Sequence, residues 1–279
     1  MKNKILLTIS MIAAVGATCA YAGQGAGTGI QGSNHDMTHI IGASSDSQQR
    51  VCAFCHTPHH ADQSGNLDYN PLWAHAVTTN TYTPYASLTL NSMIDPASFL
   101  AGPSKLCMSC HDGVIAADQH YGGTAGGGAF TMAGDGFGQY AVGTGGDLSN
   151  DHPIGFNYLA VANGLPGING VANTVSVPGM DNYIKPATER YIDNIQGTTR
   201  TPTVNNLTIA DRLYGGNTFT CATCHDVHNK KTVNAGGGVT ELSTPDIQVG
   251  TVTTLTSNKN YFLLGGQVGS AICLSCHIK

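Results

Sequence analysis

Four short segments of the chain carry the same chemistry. They read Cys52-Ala53-Phe54-Cys55-His56, Cys107-Met108-Ser109-Cys110-His111, Cys221-Ala222-Thr223-Cys224-His225 and Cys273-Leu274-Ser275-Cys276-His277. In each, two thiols stand three positions apart and an imidazole follows at once. Thiols at that spacing share one turn of chain, where both can reach the two vinyl groups of a single porphyrin and form thioethers. The next residue then sits beneath the ring, with its imidazole placed to bind iron. C-x-x-C-H is the attachment motif of c-type haem. The cysteine count closes, because of nine cysteines only Cys19 lies outside the motifs. A zinc ribbon spaces its Cys pairs by about 15–20 residues, whereas successive pairs here begin 55, 114 and 52 residues apart. Disulfides alone would not require a histidine after every pair. The expectation is four covalent haem c groups, with His56, His111, His225 and His277 as proximal ligands.

The opposite face of each iron needs a second ligand. Twelve histidines are present, which leaves His35, His39, His59, His60, His75, His120, His152 and His228. The motifs fall into two halves that repeat imperfectly. "CAFCHTPH" answers to "CATCHDVH", and "LCMSCH" to "ICLSCH", the latter two preceded by "SFLAGPSK" and "YFLLGGQVGSA". From residue 123 onward the spare histidines are His152 and His228, and the repeat maps them back onto His35 and His59. Those four are the expected distal ligands. His39 could replace His35, and His60 could replace His59. His75 reads as packed or on the surface, and His120 as facing solvent. Met37, Met93, Met108, Met132 and Met180 could bind iron chemically, but the histidines suffice.

His56 and His59 stand at i and i+3, as do His225 and His228. On a helical turn such a pair shares a face, with Cβ atoms about 5–6 Å apart. His59 and His228 therefore cannot reach round to their own haems and are expected to bind neighbouring ones, which puts the irons on the order of 10 Å apart. Iron with imidazole on both sides offers no site for a substrate. The chemistry expected is outer-sphere electron transfer, at potentials below those of Met/His haems, and not catalysis.

The elements that hold these residues leave only a faint pattern. Met1-Lys2-Asn3-Lys4, the apolar run Ile5 to Val15 and Ala20-Tyr21-Ala22 have the layout of a secretory signal peptide over residues 1–22. The run is too short for a membrane span, which needs about 20 apolar residues. Without it the formal charge goes from −5 to −7, a mildly acidic chain with no basic stripe for nucleic acid. Only 10% of residues are charged, so long amphipathic helices have little to be built from. Residues 121–150 are Gly-rich without helical or strand period and read as loop. Residues 170–178 and 251–257, rich in Val and Thr, read as short strands. The fold class expected is mostly irregular coil with short α-helices at the haem motifs, a few short strands and the haems as core. The divisions are 23–122 as a first dihaem half, 123–150 as a Gly-rich connector and 151–279 as a second dihaem half.

With "NHDM", "CAFCHTPHHA", "NPLWAH", "YTPYAS", "KLCMSCHDG", "LSNDHPIGF" and "CATCHDVH" together, the chain resembles the doubled-CXXCH multihaem cytochromes. In number and order of haems it is similar to extracellular tetrahaem cytochromes of metal-reducing bacteria that polymerise into nanowires. That resemblance implies a continuous stack of haems, distal roles for His35, His59, His152 and His228, and a histidine passed between subunits, for which His35 or His39 on the Gly-rich arm is the candidate. It further implies an extracellular or cell-surface homopolymer with redox proteins or extracellular acceptors as partners. A monomeric periplasmic carrier is the alternative. A multihaem reductase, which needs an open iron position, and a surface protein stapled by haem are rivals of other classes.

Overall fold

The computed structural model describes residues 30, 35–37, 50–59, 61–63, 65–87, 90, 94–115, 141–162, 184–191, 207–228, 231–233, 239–241, 262–264, 270 and 272–278. The signal segment, the segments 170–178 and 251–257, His39, His60 and His120 lie outside them.

Most of the described helices sit at a motif. A 3₁₀ turn covers Val51–Phe54, α1 covers Pro103–His111, α3 Cys221–Cys224 and α4 Cys273–Cys276. Away from the motifs are α2 (Tyr158–Ala162) and 3₁₀ turns at Thr144–Gly146 and Ala210–Arg212. One antiparallel pair joins β1 (Lys231–Val233) to β2 (Val239–Glu241). The rest of the described chain is turn, bend and coil.

Local chemistry explains the helix starts. Pro103 opens α1, where a missing N–H costs nothing. Thr220 and Thr223 form a reciprocal capping box on α3, with the Thr220 N–H donating to Thr223 Oγ1 at 3.0 Å. The Cys221 N–H donates to Ser104 Oγ at 3.1 Å, and Ser104 belongs to the first turn of α1. One hydroxyl thus ties the third motif to the second across 117 residues of chain. The residue before the second cysteine is buried in all four motifs: Phe54, Ser109, Thr223 and Ser275. Ser109 shows how a hydroxyl survives there. It donates to Lys105 O at 2.9 Å and accepts the Thr78 N–H at 3.3 Å.

The helical turns of three motifs stop before the histidine, at Phe54, Cys224 and Cys276. His225 and His277 are extended (φ −114, ψ 136 and φ −91, ψ 143), and His56, His225 and His277 form isolated bridges to Trp73, Leu263 and Ile184. The helical i, i+3 geometry expected for the two CHxxH segments is therefore not the one adopted. Bridging hydrogen bonds from distant chain pull the histidine out of the turn. The first and third motifs do this identically. The Thr57 N–H donates to Leu72 O and the Ala74 N–H to Cys55 O, at 2.8 and 2.9 Å. The Asp226 N–H donates to Phe262 O and the Leu264 N–H to Cys224 O, both at 2.8 Å. Leu72 and Phe262 have φ of 59 and 55, a left-handed conformation costing a side chain about 1–2 kcal/mol. In hydrogen bonding, then, the counterpart of Phe262-Leu263-Leu264 is Leu72-Trp73-Ala74. His111 differs by ending α1 in helical continuity.

Apolar packing gathers in two clusters. Phe156, Tyr158, Ala187, Tyr191, Ile209, Leu213, Phe219, Leu264 and Cys276 form one. Tyr82, Phe99, Met108 and Leu148 form the other, and Ile94 and Ile154 touch both. Leu148 comes from the end of the Gly-rich stretch, fixed by its N–H donating to Thr83 O at 2.9 Å. Between the clusters Gly155 has φ +75 and donates its N–H to Phe219 O at 2.8 Å, and any Cβ there would strike the Phe99 carbonyl. Gly155→Ala is expected to destabilise the holoprotein by on the order of 3 kcal/mol. Denaturant unfolding checks this, and a change under about 0.5 kcal/mol would mean the junction is loose. Among the described residues no helix is long and apolar enough to cross a membrane.

Candidate haem sites

Three proximal histidines face a second imidazole. The ring centroids of His111 and His35 are 5.9 Å apart, those of His56 and His228 6.2 Å, and those of His277 and His152 6.4 Å. With a metal–imidazole bond of about 2 Å and a ring nitrogen about 1 Å from its ring centre, two imidazoles gripping one metal hold their centroids about 6 Å apart. The three separations match that span. Interplanar angles of 87°, 18° and 78° do not disturb the match, since each ring can turn about its own metal–nitrogen axis.

Second contacts set the tautomers. A carbonyl only accepts, so His56 Nδ1 donates to Pro71 O at 2.6 Å and His152 Nδ1 to Pro153 O at 2.9 Å. In both rings Nε2 is left with its lone pair, the form that binds metal. Burial pushes His35 down to about 3, helped by His111, His225 and His228. Burial also lowers His152, and lowers His277 together with the nearby His152. These rings stay neutral and able to ligate. His228 differs: its backbone N–H donates to Asp226 Oδ1 at 3.0 Å, its ring lies 3.7 Å from the same oxygen, and that carboxylate raises it against the effect of burial.

The thiols of successive motifs meet. Cys55 lies beside Cys110, and burial first, then that neighbour and Cys52, push it up to about 12. Cys107 donates a hydrogen bond to Cys221, which raises Cys107 and draws Cys221 down to about 7. Burial and the adjacent Cys276 push Cys224 up to about 12. No disulfide joins the eight motif cysteines, and those raised by burial are poorly suited to act as thiolates. Among the described residues no three His, Cys, Asp or Glu side chains converge as a zinc site requires. Imidazoles in facing pairs beside paired thiols suit haem c instead.

An orphaned donor points the same way. Trp73 is buried and its Nε1–H has no hydrogen-bond partner among the described residues. Its ring stands edge-on to His56 at 6.4 Å. A buried N–H needs an acceptor, and a haem held by His56 would bring two propionates. Trp73→Phe is expected to lower holoprotein stability by about 1.5–3 kcal/mol, the worth of a hydrogen bond to a charged group. Thermal melting together with the propionate bands in resonance Raman checks it, and unchanged values in both would leave the N–H without that role.

The remaining candidates fall as follows. His59 is exposed and faces no imidazole among the described residues. His75 is 1% exposed, donates from Nδ1 to Ala76 O at 2.8 Å and places Nε2 3.6 Å from Cys110 Sγ. It thus belongs to the surroundings of the second motif, as does Asp112, which no metal-ligand pattern marks. Met108 is buried against Tyr82, Phe99 and Leu148. In comparisons with known proteins no family model matches the chain, and no curated protein matches it.

Proposed function

We propose that the chain is an exported tetrahaem c-type cytochrome that passes electrons between closely spaced bis-histidine haems and assembles into an extracellular filament. The observation that carries this reading is the set of three imidazole pairs at 5.9 to 6.4 Å, each joining a C-x-x-C-H histidine to a histidine far away in sequence. Bound haem c supplies a one-electron iron couple; the protein's part is to hold, space and insulate it. Attachment positions that come near one another from motif to motif, Cys107 hydrogen-bonded to Cys221 and Cys55 and Cys224 within electrostatic reach of Cys110 and Cys276, support porphyrin edges in close succession along the chain. Irons held by these imidazole pairs would exchange electrons without binding substrate.

For polymerisation the relevant group is His59. Its counterpart in the repeat, His228, reaches the His56 site, while His59 stays exposed and can serve an adjoining subunit. His35, by contrast, lies against His111 of its own chain. An open head-to-tail contact of this kind extends into a filament.

The test is electron microscopy and visible spectroscopy on native extracellular material. Haem-containing fibres with four low-spin haems per chain are expected. A monomer with all four haems six-coordinate would favour the periplasmic carrier, and a high-spin haem shifting with an added oxyanion would favour a reductase.

A further inference from the structure

Asp112 directly follows the iron-binding histidine of the second motif and is 1% exposed. Its Oδ2 accepts three side-chain hydrogen bonds: from Thr78 Oγ1 at 2.6 Å, Tyr82 Oη at 2.7 Å and Asn80 Nδ2 at 3.0 Å. Its Oδ1 accepts the Val114 N–H at 2.9 Å. Three donors aimed at one oxygen suit the carboxylate form, which only accepts. The cage stays a set of donors. Burial, ahead of the neighbouring Asp112, pushes the Tyr82 phenol up to about 12, and the Asn80 amide nitrogen has no acceptor capacity. No cation touches this carboxylate in the contacts described, so its charge is held by dipoles alone.

The other motifs have nothing equivalent at this position. They carry Thr57, Asp226 and Ile278, of which Asp226 is only partly buried and pairs with His228, while Ile278 is exposed.

Resting on the tetrahaem reading above, we propose that Asp112 is a positioning residue which sets the haem held by His111 to the lowest reduction potential of the four. A fixed negative charge in a low-dielectric surrounding favours the ferric over the ferrous iron. The charge sits close to the attachment point, since Asp112 follows Cys110-His111 directly and its N–H donates to Met108 O at 3.1 Å. The cage residues tune that field, since each donor withdraws part of the carboxylate's charge.

The test is a potentiometric titration of the purified holoprotein, following four one-electron transitions. The transition belonging to the His111 haem is assigned with His35→Met, because Met/His ligation raises the potential. Asp112→Asn is expected to shift that transition upward and leave the other three in place. Tyr82→Phe and Asn80→Ala, which keep the charge but remove a donor, are expected to shift the same transition downward. A residue that merely supports the fold would not give opposite signs. The inference is overturned if no transition moves, if all variants move it in one direction, or if it is not the lowest in the unmodified protein. Should Asp112→Asn fail to fold, the two donor variants decide alone. The wild-type intact mass taken first separates the outcomes: fewer than four attached haems there would overturn the tetrahaem reading itself, and this inference with it.

Discussion

Replacing Cys221 and Cys224 with alanine is expected to yield a chain with three haems that is far less stable than the parent. The third motif lies where the two halves join. Its helix α3 packs on α1 and on the Ala210–Arg212 turn, its Cys221 N–H is bonded to Ser104, and its buried Thr223 carbonyl accepts the Tyr191 hydroxyl at 2.9 Å. Without attached haem these groups would border a void larger than any single side chain leaves. Emptying the site of a large aromatic residue costs about 3–5 kcal/mol, and a porphyrin is larger. At about 2–4 °C per kcal/mol for a chain of this size class, the melting temperature should fall by roughly 10 °C or more. Intact mass gives the haem count and a melt followed in the Soret band gives the stability. A three-haem variant melting like the parent would show that the fold does not lean on this cofactor.

The second large effect is a change of spin state. His228→Ala removes the imidazole facing His56 at 6.2 Å and should leave one of four haems five-coordinate and high-spin. Carbon monoxide binding should rise by one equivalent per chain over the parent. His59→Ala provides the contrast. Because His59 is exposed and away from the described imidazoles, its loss should leave the isolated chain's spectrum unchanged and alter only assembled material. Equal spectral effects of the two substitutions in the monomer would contradict the geometry.

The chemistry was more legible in the sequence than the architecture. C-x-x-C-H depends on a spacing within five residues, and the repeat pointed to His35, His152 and His228, each of which the structure sets beside a C-x-x-C-H histidine. His59 shows where that symmetry fails. Asp226 turns the His228 N–H back onto its own carboxylate, as short acidic side chains do in turns, whereas Thr57 is followed by Pro58, whose ring fixes φ. The path after His56 therefore differs from the path after His225, although both histidines are clamped alike. Trp73 and the cage of Thr78, Asn80 and Tyr82 around Asp112 were not legible. The cage residues stand 30 or more residues from Asp112 and Trp73 meets His56 across a turn of coil, and no helical or strand period foretells a contact made by coil.

The meeting of thiols from separate motifs bears on how the molecule is made. Cys107 touches Cys221 across a stretch of more than a hundred residues, a slow, long-range closure. A biogenesis enzyme that must grip each motif to attach its cofactor could not enter that arrangement, and bare sulfurs brought so near would exchange into mispaired disulfides under oxidising conditions. On the tetrahaem reading proposed above, maturation would work on the open polypeptide and compaction would come last.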